Sequence, residues 1–490
     1  MLFQKPRLVI AALRGGAGKT LVTIGLIAAW KRHRAMRVVP FKKGPDYIDA
    51  GWLSMAAQQP CYNLDPFLMS SEDIWRSFTE RSLRGDVGVV EGNRGLYDGV
   101  DVQGSCSTAE LAKLLGAPVV LVLDVTKTTR TAAALVLGCQ QLDPGVKIAG
   151  VILNQVAGKR HEQVLRGAIE HYCALPVLGV VPKKKGDFFP ERHLGLIPPQ
   201  EHDRIDEAMS FAAQLALDCL DLDALWQVAQ QAGPLGLAGS TRPVHDRDAS
   251  SKPVIGVLRD AAFQFYYPDN LEALVDRGAV LVELSALSDG RLPVLDALYI
   301  GGGFPETHLE QLAGNVAFGQ SLRSAIEDGL PVYAECGGLM YLCRGIHNQD
   351  SYFPMVGVFP LDVVMESKPQ GHGYTTMECV TDNPFFSKGL ILKGHEFHYS
   401  RIVTHGQSLP LVFRMSKGQG IVTGWDGVCY KNALASYTHL HALGNEHWVE
   451  AMFRNAVHFR EQRDNLPESP ARLIDRETGI LQVSKRLTMI

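Results

Sequence analysis

Arg14-Gly15-Gly16-Ala17-Gly18-Lys19-Thr20 follows an apolar run at residues 8–13 and precedes an apolar helical pattern. Closely spaced glycines let backbone N–H groups turn inward around a phosphate, and a helix start adds partial positive charge. Lys19 is then placed to reach the terminal phosphates of a nucleotide, with the Thr20 hydroxyl facing a magnesium ion. The glycine usual five positions before the Gly-Lys pair is absent, because Leu13 stands there. The loop is therefore a variant one. Two acidic clusters also end apolar runs, Phe41-Lys42-Lys43-Gly44-Pro45-Asp46-Tyr47-Ile48-Asp49 and Glu91-Gly92-Asn93-Arg94-Gly95-Leu96-Tyr97-Asp98-Gly99. Carboxylates at strand ends opposite a phosphate loop hold or orient a hard cation that wants oxygen ligands. Lys42 is placed to offset charge on a transferring phosphoryl group.

A second chemistry is written further along the chain. Pro331-Val332-Tyr333-Ala334-Glu335-Cys336-Gly337-Gly338-Leu339-Met340 is an apolar strand, a cysteine, two glycines and a helix start. A sharp strand-to-helix turn exposes a nucleophile and points helix N–H groups at its sulfur, which favours the thiolate. Gly301-Gly302-Gly303 follows another apolar run and is placed to give a second donor to an oxyanion. The base that such a thiol needs is best supplied by His439, in Ser436-Tyr437-Thr438-His439-Leu440-His441, with His441 as the competing choice.

The elements that must hold these groups alternate between strand and helix. Residues 8–13, 38–41, 87–91, 119–124, 148–154 and 177–181 read as buried strands, with helical segments at 20–32 and 108–115. That alternation implies a mainly parallel sheet covered on both faces, with ligands at the carboxyl ends of its strands. Asn154, which closes one such run, joins Gly15, Gly16, Gly18, Lys19 and Thr20 as a nucleotide-site candidate. Residues 203–231 read as helical and close the first unit. A Gly-, Pro- and Ser-rich linker follows at 233–252, and the α/β pattern restarts at 254–258, 280–284, 297–300 and 331–334.

Composition excludes several classes. Of 490 residues, 46% are hydrophobic and 20% charged, with a net charge of -4, so global disorder and a strongly basic nucleic-acid binder are not expected. No run is long and apolar enough for a membrane helix, and no secretory leader is recognisable. The nine cysteines are scattered without a CxxC pair, which argues against a disulfide framework or a zinc cluster. These features lead us to expect a cytoplasmic protein.

Taken together, the motifs resemble the cobyrinic acid a,c-diamide synthase family, whose members join a dethiobiotin-synthetase-like ATPase domain to a class I glutamine amidotransferase domain. The resemblance runs from about residue 8 to about residue 459. It is carried by GPDYID at 44–49, GLYDG at 95–99, RHLGL at 192–196, FQFYYPDNLEAL at 263–274, GGGFPE at 301–306, AECGGLMYL at 334–342, GHEFHYS at 394–400 and SYTHLH at 436–441. It implies an α/β protein with a P-loop NTPase domain at 1–232, a glutamine amidotransferase-like domain at 253–465 and a tail at 466–490. It also implies a ligase that uses ATP, magnesium and glutamine to amidate the a and c acetates of a tetrapyrrole through acyl phosphates. A homodimer is compatible with it.

By the same resemblance, Asp46, Asp49, Glu91 and Asp98 match acidic positions that serve magnesium, ATP and the acceptor carboxylate, with Thr20, Asp46 and Glu91 as metal ligands. Cys336 matches the glutaminase nucleophile and His439 its histidine. The glutamate that many class I amidotransferases carry two places after that histidine has no counterpart, since Leu440-His441-Ala442 follows. A Cys/His dyad is left, with no group assigned to orient the imidazole. Lys43 and Asn93-Arg94 stand where members commonly carry apolar residues, which puts two added cations beside the acceptor carboxylates. Cations suit peripheral carboxylates, so siroheme is an alternative acceptor to cobyrinic acid. A reading from another class, a switch ATPase with a non-catalytic glutaminase-like domain, is disfavoured by the intact cysteine elbow and GPDYID.

Overall fold

Short runs of Val, Ile and Leu bounded by turns make strands that are buried on both faces, and such strands need helices on either side. The computed structural model describes residues 2–183, 189, 191–192, 195–236, 252–404 and 410–465. It divides into two units, Met1–Thr241 and Arg242–Ile490. In the first unit the main sheet is made of β1 (Arg7–Ala12), β2 (Val38–Lys43), β3 (Tyr62–Leu64), β4 (Val87–Glu91), β5 (Val119–Asp124), β6 (Ile148–Val156) and β7 (Val177–Pro182). They form one sheet in the order β3-β2-β4-β1-β5-β6-β7, with every neighbouring pair parallel. All six expected runs are strands; within this sheet only the three-residue β3 is an addition.

Helix α1 (Lys19–Arg34) leaves β1 through the glycine loop and packs between the sheet and helix α2 (Ile205–Cys219). Gly25 allows the close approach of the two helices, because a Cβ there would lie 2.6 Å from the Ala212 carbonyl oxygen. Ile10, Ile24, Trp30, Val120 and Ile152 fill the core beneath. The single helical stretch expected at 203–231 is instead two helices, α2 and α3 (Leu222–Gln230). Leu220 is extended between them, and the Asp221 carboxylate accepts the Ala224 N–H at 2.9 Å, which starts a new helix.

The second unit is built on β8 (Val254–Leu258), β9 (Val280–Leu284), β10 (Ala297–Ile300), β11 (Val332–Glu335), β12 (Gly371–Cys379), β13 (Ile391–His398), β14 (Leu411–Lys417), β15 (Trp425–Tyr430), β16 (Ala433–Ser436) and β17 (His439–Leu440). Their order is β9-β8-β10-β11-β16-β15-β14-β12-β13-β17. The first five strands are parallel and the rest antiparallel. The four parallel runs expected after the linker are all present, whereas the antiparallel half is not anticipated. Of the linker, residues 237–251 lie outside the described residues, as do 193–194 of RHLGL and the tail from 466. No helix among the described residues is long and apolar enough to cross a membrane.

Arg7 ties the ends of the first unit together. Its fully buried guanidinium donates to the carbonyls of Leu115 (2.6 Å), Lys5 (2.9 Å), Gly116 (3.3 Å) and Gly233 (2.5 Å). Arg7→Met should strand several of these acceptors, for an expected loss of about 2–4 kcal/mol. Calorimetry of the full chain checks this: the transition of the first unit should move down by several degrees while the second holds.

Candidate active sites

The glycine loop takes the conformation that its residues allow. Gly16 and Gly18 have φ of +69° and +89°, a region that residues with a Cβ avoid. Below it, buried Asn154 donates through Nδ2 to the Ala17 carbonyl at 2.9 Å, so Asn154 props the loop from beneath. A Cβ at Gly18 would lie 2.2 Å from that same nitrogen. Gly15 is open, with nothing within 4 Å of a Cβ there. Lys19 Nζ donates to the carbonyls of Arg94 (3.0 Å) and Arg14 (3.4 Å), bridging the loop to the end of β4. Burial holds its pKa below the usual lysine range, aided by Lys42 and opposed by Glu91, Asp49 and Asp98.

Facing the loop, Lys42 stands buried on β2 among three carboxylates. Its Nζ is 2.7 Å from Asp49 Oδ2, 2.7 Å from Glu91 Oε1 and 3.9 Å from Asp46 Oδ2. Burial works against the ammonium, but Asp49, Glu91 and Asp46 together outweigh it and raise its pKa well above the ordinary value. Asp46 is pushed up to about 7, first by burial and then by the Asp49 charge. Thr20 Oγ1 donates to Glu91 Oε1 at 3.0 Å, and the other oxygen, Oε2, is buried with no hydrogen-bond partner among the described residues. A hydroxyl beside an unused carboxylate oxygen at a phosphate loop fits a magnesium ion, which needs few protein ligands when phosphates and waters supply the rest. Of the expected metal set, Thr20 and Glu91 touch; Asp46 reaches Glu91 through Lys42. Asp98 is exposed and closes its own turn by accepting the Gly95 N–H at 2.8 Å.

In the second unit, Cys336 stands at the turn between β11 and helix α4 (Gly337–Leu342) with φ 48° and ψ −100°. That strained conformation in a residue with a Cβ is what a nucleophile elbow requires. Burial pushes the thiol well above its usual pKa, Glu306 adds to this, and the Gly337 N–H opposes it. A Cβ on Gly337 would come within 3.1 Å of Gly303 N, so the triple-glycine loop lies directly against the cysteine turn. The Cε1–Nε2 edge of His439 lies against the same loop: a Cβ on Gly302 would be 2.4 Å from His439 Cε1 and 3.3 Å from Nε2. His441 is turned elsewhere, with Nε2 3.5 Å from Asp269 and Nδ1 accepting the Leu443 N–H.

The imidazole does have a carboxylate beside it. Glu335, fully buried at the end of β11, places Oε2 3.4 Å from His439 Nδ1. The expectation of a dyad rests on looking after His439 in sequence, whereas the acid comes from the residue before Cys336. The signal for it in the sequence is an acidic residue at the inner end of an apolar strand, directly before the cysteine.

Two family models match the chain. A CobQ/CobB/MinD/ParA nucleotide binding domain covers residues 8–196, and a CobB/CobQ-like glutamine amidotransferase domain covers residues 254–447. A cobyrinate a,c-diamide synthase of Magnetococcus marinus is 42% identical, over 93% of this chain and 98% of its own length. The chain belongs to the cobyrinate a,c-diamide synthase family. Enzymes of the same name from Archaeoglobus fulgidus (40% identical, 92% of this chain, 98% of theirs) and Methanothermobacter thermautotrophicus (39%, 92% and 100%) extend the match.

Within this family frame, the two added cations part company. Arg94 is exposed with φ 50°, at the mouth of the phosphate loop. Lys43 is buried, and burial lowers its pKa, with Asp65 opposing. The expectation that both line a substrate surface is corrected for Lys43, because it sits on a strand covered on both faces.

The Lys42 cluster yields a stability test. Lys42→Met would leave Glu91 and Asp49 buried without a counter-charge, at an expected cost of about 3–5 kcal/mol. Denaturant unfolding should show that loss, and adding Glu91→Gln to Lys42→Met should return part of it. Strict additivity of the two changes would mean that the pair does not share charge.

Proposed function

We propose that the chain is an ATP- and glutamine-dependent amidoligase that converts the a and c acetates of cobyrinic acid to amides. The observation that carries this reading is the presence, in one chain, of a phosphate loop facing a lysine-bound acid cluster and of a cysteine elbow and an imidazole that lie against one glycine loop. The relatives' name supplies the substrate. We assign carboxylate activation to residues 1–232 and ammonia production to residues 253–465.

In the first site, an oxygen of the acceptor carboxylate attacks the γ-phosphorus of ATP, and ADP leaves, giving an acyl phosphate. Gly15, Gly16, Gly18, Lys19 and Thr20 cradle the phosphates, and Lys19 meets the charge that develops on the transferred group. Thr20 and Glu91, with Asp46 from the same cluster, would hold a magnesium ion, which would supply further neutralisation of the phosphates. Lys42 favours the ionised forms of Asp49 and Glu91 against their burial and fixes both, while Asp98 shapes the adjoining turn. In the second site, Cys336 attacks the glutamine amide carbon as His439 takes the thiol proton and passes it to the departing ammonia. Water then cleaves the thioester to glutamate. Ammonia adds to the acyl phosphate and phosphate leaves, so each cycle exchanges one hydroxyl for one amino group.

Siroheme as acceptor drew its support from two cations, and the burial of Lys43 removes one of them. Mass spectrometry after incubation with ATP, magnesium, glutamine and either tetrapyrrole decides the substrate. Two successive amidations of cobyrinic acid are expected; amidation of siroheme alone would overturn the assignment.

Cys336→Ser should abolish synthesis from glutamine but keep synthesis from added ammonia, since the thiol serves only ammonia production. A folded variant inactive with saturating ammonia would refute the division of labour. Lys19→Ala should lower both activities by about 100-fold or more, as for a positioned cation in a dry site. Steady-state rates with each nitrogen donor test both variants.

A further inference from the structure

The carboxylate beside His439 is built into the sheet. Parallel pairing of β11 with β16 sets Glu335 opposite Ser436, three residues before His439. The intervening turn is fixed by buried Asp426, which accepts the N–H of Tyr437 (3.0 Å), the N–H of Thr438 (3.0 Å) and the Thr438 hydroxyl (2.9 Å). That turn brings β17 back over Glu335. Glu335 Oε1 then accepts the Leu440 N–H at 3.0 Å, and Oε2 accepts the Tyr299 hydroxyl at 3.0 Å while standing 3.4 Å from His439 Nδ1. The carboxylate thus holds the backbone beside the histidine and stands next to its ring, short of a formed hydrogen bond to Nδ1. From the other face His395 stacks on the imidazole, with ring centres 4.9 Å apart.

We propose that Glu335 is the positioning residue of the glutaminase site, holding the proton of His439 on Nδ1 so that Nε2 is left to accept the proton of Cys336. This rests on the amidoligase reading for the site's purpose. A triad is thereby completed by a residue adjacent to the nucleophile in sequence, and not by one that follows the histidine. Catalytic hydrogen bonds are often long before substrate binds, so 3.4 Å suits a contact that tightens when the imidazole becomes charged. A nearby anion also favours the imidazolium that forms on proton transfer.

Glu335→Gln makes a sharp test because one placement of the amide is favoured: the Tyr299 hydroxyl can turn from donor to acceptor, whereas the Leu440 N–H can only donate. The Leu440 N–H requires an acceptor, so the glutamine oxygen takes that place and the NH2 turns toward His439. An amide N–H facing Nδ1 forces the proton onto Nε2, the tautomer that cannot take a thiol proton. In the full chain, Glu335→Gln should lower kcat for ammonia release from glutamine by about 100- to 1,000-fold, with KM for glutamine within about 3-fold. Synthesis from added ammonia should be unchanged. Nitrogen-15 NMR of the histidine side chains should show His439 passing from the Nδ1–H to the Nε2–H form.

Tyr299→Phe removes another bond to the same oxygen without altering the ring's partner, and should cost less than about 5-fold. Glutamine hydrolysis by Glu335→Gln within about 5-fold of wild type would overturn the proposal. So would an equal loss in Tyr299→Phe, or an unchanged tautomer. Glutamine hydrolysis is read alone, so an error in the acceptor assignment would show only in the synthesis assay and not as a failure of Glu335.

Discussion

One buried ammonium makes the first site possible. Asp46, Asp49 and Glu91 are three carboxylates gathered beside a loop built to hold a polyanion, and like charges so placed repel one another and any nucleotide. Lys42 lies among them at the end of a strand, where its own burial would be prohibitive without them. The two costs offset each other. The sheet order follows the same need, since β2, β4 and β1 lie side by side and deliver Lys42, Glu91 and the glycine loop to one edge.

The second site solves a different problem: a neutral, buried thiol must lose a proton only when substrate is present. A burial-raised thiol pKa keeps Cys336 protonated at rest, and the strained turn keeps it in place. Around it the mixed sheet is a device for register. Parallel strands carry Glu335 and the glycine loop, the antiparallel strands return His395, and β17 sets His439 between them.

Much of this was legible in the sequence wherever a single local signal sufficed. The buried parallel strands announce themselves as continuous apolar runs, and the phosphate loop and cysteine elbow are contiguous. Antiparallel strands such as β12, with half-exposed faces and polar residues like His372 and Glu378, lack such runs. The split of the helical stretch at Leu220 turns on one capping carboxylate, Asp221, inside an otherwise periodic pattern. Glu335 escaped for another reason: its partner is 104 positions away, joined through strand register, and sequence proximity to Cys336 says nothing of that. The burial of Lys43 is similar, since a lysine beside a Gly-Pro-Asp turn reads as exposed until the strand extends through it.

The contact between Gly18 and Asn154 limits how this protein can change over time. Position 18 is restricted twice, once by its left-handed backbone and once by the amide 2.2 Å from where a Cβ would stand. Trimming Asn154 to a smaller residue would lift the second restriction and leave the first intact, while also releasing the Ala17 carbonyl from the Asn154 amide. No compensating change at 154 can therefore open position 18 to another side chain, and the two residues are locked to their identities for different reasons.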